Sequence, residues 1–210
     1  MFIWGGVSHL NTLNDLLSYN FENQVWSLII PQSTVIPNPR QGVCMVAKGK
    51  NLFIVGGQTE NASFKNEVWK FDLGTYEYTL LANSFISGPL PGMNYNCLLR
   101  GNKIVVLNGQ SYGTTPIQKI YEFDLDTNTW IYVMTAGKTK DQSAIVDLGD
   151  KVLVIGGMQW NLWTFHEVVE VDLEAKTDRI IGELPYLMYG HKSVHYRNQI
   201  YSFGGGASLG

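Results

Sequence analysis

Charge is scarce in this sequence. Only 16% of the 210 residues are Asp, Glu, Lys or Arg, the formal net charge is −3, and no basic run occurs. That excludes a surface built to neutralise a nucleic-acid backbone or anionic lipid, because both need clustered Lys and Arg. Long apolar runs are missing too. None approaches the ~20 residues that cross a bilayer as a helix. The opening MFIWGGVSH has neither a basic start nor an apolar run of ~7–15 residues, so it does not read as a signal peptide. The expectation is a cytoplasmic protein with neither a nucleic acid nor a membrane as partner. Cysteine is nearly absent. Cys44 and Cys97 lie far apart in apolar, strand-like surroundings, and two separate buried thiols are expected, with a disulfide as the lesser alternative. No CxxC or HExxH occurs, so no metal and no cofactor is expected. GxSxG, P-loop and GxGxxG patterns are also lacking.

What is present points to β-structure. Hydrophobic residues make up 45%, aromatics 12%, and there are 22 glycines. Tight turns and pleated, half-buried surfaces use such residues. The chain also repeats. Apolar runs close on Gly-Gly at Gly5-Gly6, Gly56-Gly57, Gly156-Gly157 and Gly204-Gly205, while Asn108-Gly109 replaces the first glycine. Further on in each unit comes an apolar or aromatic residue followed by Asn or Asp: Tyr19-Asn20, Phe71-Asp72, Phe123-Asp124 and Val171-Asp172. Six residues later stand Trp26, Tyr78, Trp130 and, as an exception, Asp178. Independent marks that keep one register define a repeat of about fifty residues.

Each unit reads as four short strands. An inner strand such as 43–47 or 95–99 turns tightly into a wholly apolar one such as 52–55 or 104–107, whose continuity implies burial on both faces. The glycines let the chain turn where no Cβ fits. Asp72, Asp124 and Asp172 are expected to cap the turn into a fourth, outer strand whose Trp or Tyr covers the neighbouring sheet.

These marks resemble the kelch repeat over nearly the whole chain. The resemblance implies an all-β propeller of four-stranded blades. The units fall at about 1–30, 40–82, 93–134, 142–182 and 190–210, giving about four blades plus a partial one. The first unit lacks its inner strand and the last lacks its outer two, so an incomplete arc is expected. Its missing partner would be the rest of a longer parent chain, or segment 190–196 would supply the first blade's inner strand.

Catalytic chemistry is not legible. His191 and His195 are four apart in a strand-like segment, some ~13 Å at ~3.3 Å per residue, and do not chelate a metal alone. His191 reads as structural. His9 and His166 sit in loops with nothing to pair with. The propeller of galactose oxidase carries a copper site of Tyr, His and a Tyr–Cys link, and no such set assembles here. The long loops after Gly-Gly (58–66, 110–118, 158–166) share a face with the blade-joining loops 37–41, 87–93 and 185–189, and loops on a fixed scaffold commonly bind. Loop 158–166 carries Trp160, Trp163 and Phe165. With Phe64, Tyr112, Met188, Tyr189 and Arg40 they form the candidate anchor set for a protein or peptide. The leading expectation is a non-enzymatic interaction module or scaffold. The alternatives are an oxidase-type or carbohydrate-active propeller, and an architectural segment of a cytoskeletal or ciliary assembly.

Overall fold

The computed structural model describes residues 1–9, 11–83, 87–112, 117–159 and 163–207, and among these there is no helix. The first sheet comprises β1 (Phe2–Val7), β2 (Thr12–Asn20) and β3 (Val25–Ile29). A four-stranded sheet follows: β4 (Cys44–Lys48), β5 (Asn51–Val55), β6 (Val68–Asp72) and β7 (Glu77–Ala82). After the short β8 (Gly92–Met93) come β9 (Asn96–Arg100) and β10 (Lys103–Leu107). Next are β11 (Gln110–Ser111), which pairs with β8, then β12 (Lys119–Asp124) and β13 (Thr129–Thr135). β9, β10, β12 and β13 form the third sheet. The fourth holds β14 (Ala144–Asp147), β15 (Lys151–Gln159), β16 (Trp163–Asp172) and β17 (Thr177–Glu183). A two-stranded sheet of β18 (Lys192–Tyr196) and β19 (Gln199–Phe203) comes last. All pairings are antiparallel, and the inner strands β4, β9, β14 and β18 lie side by side in that order. The sheets therefore fan as propeller blades.

Apolar continuity makes the second strands. β5, β10 and β15 are buried over most of their length because a blade lies on each side. Three inter-blade cores result. Trp4 and Leu16 meet Leu52, Ile54, Phe71 and Tyr78. Phe53 and Val55 meet Ile104, Val106, Phe123 and Trp130. Val105 and Leu107 meet Val152, Val154 and Val171. At about 1.5–3 kcal/mol per large apolar side chain, these cores dominate the favourable energetics. The turn into each outer strand is held by one side chain. Asp72 Oδ1 accepts from Gly74 N–H at 2.7 Å and Thr75 N–H at 3.2 Å. Asn20, Asp124 and Asp172 make the same pair of bonds.

Blades are tied to one another through the Gly-Gly pairs. Gly6, Gly57 and Gly157 donate their N–H to the carbonyls of Arg40, Gly92 and Met188, at 3.0, 2.8 and 2.7 Å. Each acceptor lies at the entry to the next blade. The preceding glycine must then pass close to that same carbonyl. A Cβ at Gly5 would fall 2.7 Å from Arg40 O, and one at Gly156 2.5 Å from Met188 O, with both residues at positive φ. The third blade solves the problem differently. Asn108 adopts φ 37° and its Nδ2 donates to Lys140 O at 2.7 Å.

Two expectations are corrected. Segment 190–196 does not complete the first blade, because β18 pairs with β19 and lies beside β14, while among the described residues β1 pairs only with β2. The cysteines are not separate thiols. Cys44 and Cys97 face each other from β4 and β9 with Cα atoms 6.0 Å apart, and they are paired as a disulfide across the second and third blades. The fifty-residue period sets equivalent inner strands against each other, a relation invisible in the linear spacing.

Gly156→Ala is expected to lose about 2–4 kcal/mol, from strained φ and a displaced entry carbonyl. Gly182→Ala, where a Cβ meets nothing within 4 Å, is the control and stays within about 1 kcal/mol. Urea midpoints of the two variants check this, and equal losses would remove the Gly-Gly account.

Candidate functional site

The loop-bearing face divides into two clusters. In the second blade, segment 58–66 is pinned by bridges from Gln58 to both Gln41 and Phe64. Phe64 is buried. Its ring stands edge-on to Tyr112 with centroids 4.7 Å apart, and its N–H donates to the Tyr112 hydroxyl at 3.1 Å. Phe64 thus ties one blade's loop to the next rather than facing outward, while Tyr112 remains exposed.

The second cluster is built on an extended hairpin. The segment expected as loop 158–166 is strand for most of its length. β15 and β16 continue past Gly156-Gly157, pairing Gly157 with Phe165, Met158 with Thr164 and Gln159 with Trp163. The alternating apolar and polar residues there satisfy strand pairing, so the ladder runs on beyond the blade. Trp163 is 63% exposed near its tip. Phe165 is half-buried, with Lys140 Nζ 4.6 Å above its ring. Phe165 O accepts the Met188 N–H at 3.1 Å, and Tyr189 is bridged to Gly206. The structure therefore brings Trp163, Phe165, Met188 and Tyr189 around one hairpin, whereas Phe64 and Tyr112 belong to the other cluster. Trp160 lies outside the described residues.

Arg40 does not join either set. Its side chain is fully buried, with Nη2 2.8 Å from Glu67 Oε2, Nε donating to Asn38 O and Nη1 to Gly56 O. Burial pushes the Glu67 carboxyl up, but the Trp69 indole and the Arg40 guanidinium outweigh it and hold the pKa below the usual range. A guanidinium fully buried with each nitrogen bonded inside the blade is not presented to a partner. The sequence reading placed it with the anchors because it sits in a blade-joining loop, and loop position does not report burial.

Residues 42, 94, 142 and 190 enter the inner strands with positive φ, at 64°, 56°, 50° and 66°. Asn94 N–H donates to Gly42 O and Gly190 N–H to Gln142 O, linking neighbouring blades around a cavity of about 370 Å³. His191 is buried beside it with neither ring nitrogen bonded among the described residues, and burial lowers its pKa. Among the described residues no three His, Cys, Asp or Glu side chains converge.

Sequence reasoning missed Lys140 and Asp141. Both stand at the base of the hairpin, where Asp141 is bonded to Met158 in both directions. Asp141 is buried, and burial raises its carboxyl to about 6 even though Gln142 N–H donates to it at 2.7 Å. Gln41, Met93 and Tyr189 occupy the equivalent position in other blades, so no repeat mark singles it out.

A blade period of this length, Gly-Gly cross-ties and Asx-capped turns fit one family. The model of the KLHDC2/KLHL20/DRC7 Kelch-repeats domain matches residues 1–205. The chain belongs to the kelch-repeat family. Its kelch propeller is similar to the leucine-zipper-like transcriptional regulator 1 homolog of Drosophila melanogaster, 26% identical over 99% of this chain and 23% of that protein. It is 24% identical to acyl-CoA-binding domain-containing protein 5 of Arabidopsis thaliana, over 98% of this chain and 34% of the relative. With Kelch domain-containing protein 3 of Mus musculus it shares 23% identity over 91% of this chain and 56% of the relative. The kelch chain thus spans from under a quarter to just over half of these relatives.

The raised Asp141 carboxyl makes a signed prediction. Its folded pKa of about 6 exceeds the ordinary 3.8, so the fold favours the protonated form. The stability this confers is full below the ordinary value and lost as pH rises through 6. Asp141→Asn is therefore expected to be more stable than wild type by about 2 kcal/mol at pH 7.5 and nearly equal to it at pH 3.5. Unfolding curves at the two pH values check this, and a pH-independent difference would contradict it.

Proposed function

We propose that this kelch domain is a protein-interaction module that receives a protein or peptide on the face carrying the extended hairpin. The observation that carries the reading is Trp163, an indole left 63% exposed on a hydrogen-bonded strand rather than on a free loop. A large aromatic on ordered backbone supplies contact area at low ordering cost, which is what an interface anchor needs. Half-buried Phe165 and Met188 lie at the base of the same hairpin, joined by the Met188 N–H to Phe165 O bond, and half-buried Tyr189 follows. Lys140, held over the Phe165 ring, adds a cation beside the apolar patch. Kelch propellers generally serve as interaction modules.

Trp163→Ala is expected to weaken capture of a cognate partner by at least about tenfold, which is about 1.4 kcal/mol. Its thermal midpoint should stay within about 2 °C of wild type, because an exposed side chain contributes little to the core. Partner titration and a thermal melt of the same preparation separate the two effects. Unchanged affinity at unchanged stability would remove this face.

A further inference from the structure

At the end of the strands opposite the Gly-Gly loops, the third and fourth blades each carry an ion pair that the second blade replaces. Lys103, which opens β10, reaches Glu122 of β12 at 2.7 Å. Lys151 reaches Glu170 at 3.2 Å from the same register positions of the fourth blade. The repeat places Asn51, opposite Asp72, where those lysines stand, and Lys70 where the glutamates stand. The second blade therefore holds a cation where its neighbours hold a carboxylate. Among the described residues neither Lys70 nor Lys50 makes an ion pair or a hydrogen bond. The Asn51 Oδ1 is buried and accepts no hydrogen bond among the described residues.

These groups line a cavity of about 500 Å³ between the second and third blades. Lys48, from the same turn as Lys50, reaches the third blade and donates to Gly101 O at 2.9 Å and to Asn102 Oδ1, placing a third ammonium at the wall. Buried Phe53 and half-buried Leu81 and Leu125 give the lining an apolar part. Two carboxylates oppose the lysines. Asp126 is exposed among the lining residues, and Asp72, which feels the Lys70 and Lys50 charges, already accepts the Gly74 and Thr75 N–H groups. Three ammonium groups outnumber them.

We propose that this cavity binds a small organic phosphate that carries a hydroxyl group. Lysine is a point-charge phosphate binder, and the two unpaired ammonium groups match the charge of about −1.5 to −2 that a phosphate monoester carries at pH 7. The unsatisfied Asn51 Oδ1 needs a donor, which a hydroxyl supplies and a phosphate dianion does not. The leucines match a carbon frame rather than a bare ion.

Calorimetric titration of the 210-residue protein at low salt with glucose 6-phosphate, inorganic phosphate and glucose tests this. Glucose 6-phosphate is expected to bind one per chain, at least about tenfold more tightly than inorganic phosphate, and glucose is expected not to bind at the same concentrations. The double variant Asn51→Lys/Lys70→Glu rebuilds the ion pair of the other blades. It should melt at or above the wild-type midpoint and lose at least about tenfold in affinity. Lys70→Gln removes the charge without a new pair and should show the same loss. Lys119→Ala removes an exposed lysine of β12 that does not line the cavity, and should bind as wild type does. No binding of glucose 6-phosphate, or undiminished binding by both Lys70 variants, would overturn the proposal. Inorganic phosphate binding as tightly as the sugar phosphate would overturn it too, because the hydroxyl and the carbon frame would then contribute nothing.

Discussion

One contact governs the architecture: the N–H of the second glycine in one blade reaching the carbonyl at the entry of the next. At 2.7–3.0 Å it is an ordinary hydrogen bond, worth about 1 kcal/mol net. Its importance is geometric. It brings two main chains so close that the residue before the donor cannot carry a Cβ unless that side chain itself bonds to the carbonyl. Gly5 and Gly156 meet this condition, while in the third blade the Asn108 side chain itself makes the bond to the entry carbonyl, Lys140 O. Once neighbouring entries are fixed, the apolar second strands are held face to face, and the inter-blade cores fill between them. The disulfide between Cys44 and Cys97 acts on the same boundary, further down the inner strands.

The repeat was legible because this contact imposes residue types that survive as a written period. The Gly-Gly pairs and the Asx caps are backbone requirements, and backbone requirements show in sequence. Relations between blades were not legible in the same way. The pairing of Cys44 with Cys97 depends on which strand face points to which neighbour, and β18 beside β14 depends on which edge is already occupied. A linear pattern specifies neither.

The candidate site shows the same division. Phe64, Tyr112 and Arg40 were marked because they sit in loops on the binding face. Arg40 turned inward because a carboxylate two strands away and two carbonyls offered each of its three nitrogens a hydrogen bond. Phe64 turned sideways onto the next blade's tyrosine. Trp163 stayed outward because the β15–β16 ladder kept pairing beyond Gly-Gly and carried it past the end of the blade. Whether a loop aromatic faces solvent is decided by what the adjacent blade offers it, which a single unit's sequence does not contain.

One repeat position displays this dependence most directly. Six residues past the capping Asn or Asp stand Trp26, Tyr78, Trp130 and Asp178. Tyr78 and Trp130 are buried because a preceding blade covers them, and the Tyr78 hydroxyl accepts from that blade's Trp4. Asp178 instead reaches the segment joining the third and fourth blades, accepting the Lys138 N–H at 2.9 Å, a polar tie in place of an apolar one. Trp26 packs on Tyr19 within its own sheet, with ring centroids 5.0 Å apart. The outer-strand mark is therefore a property of the boundary between blades. An aromatic there, as at Tyr78 and Trp130, is buried by the apolar side chains of the neighbouring blade, and an acid there makes the tie through a backbone N–H instead.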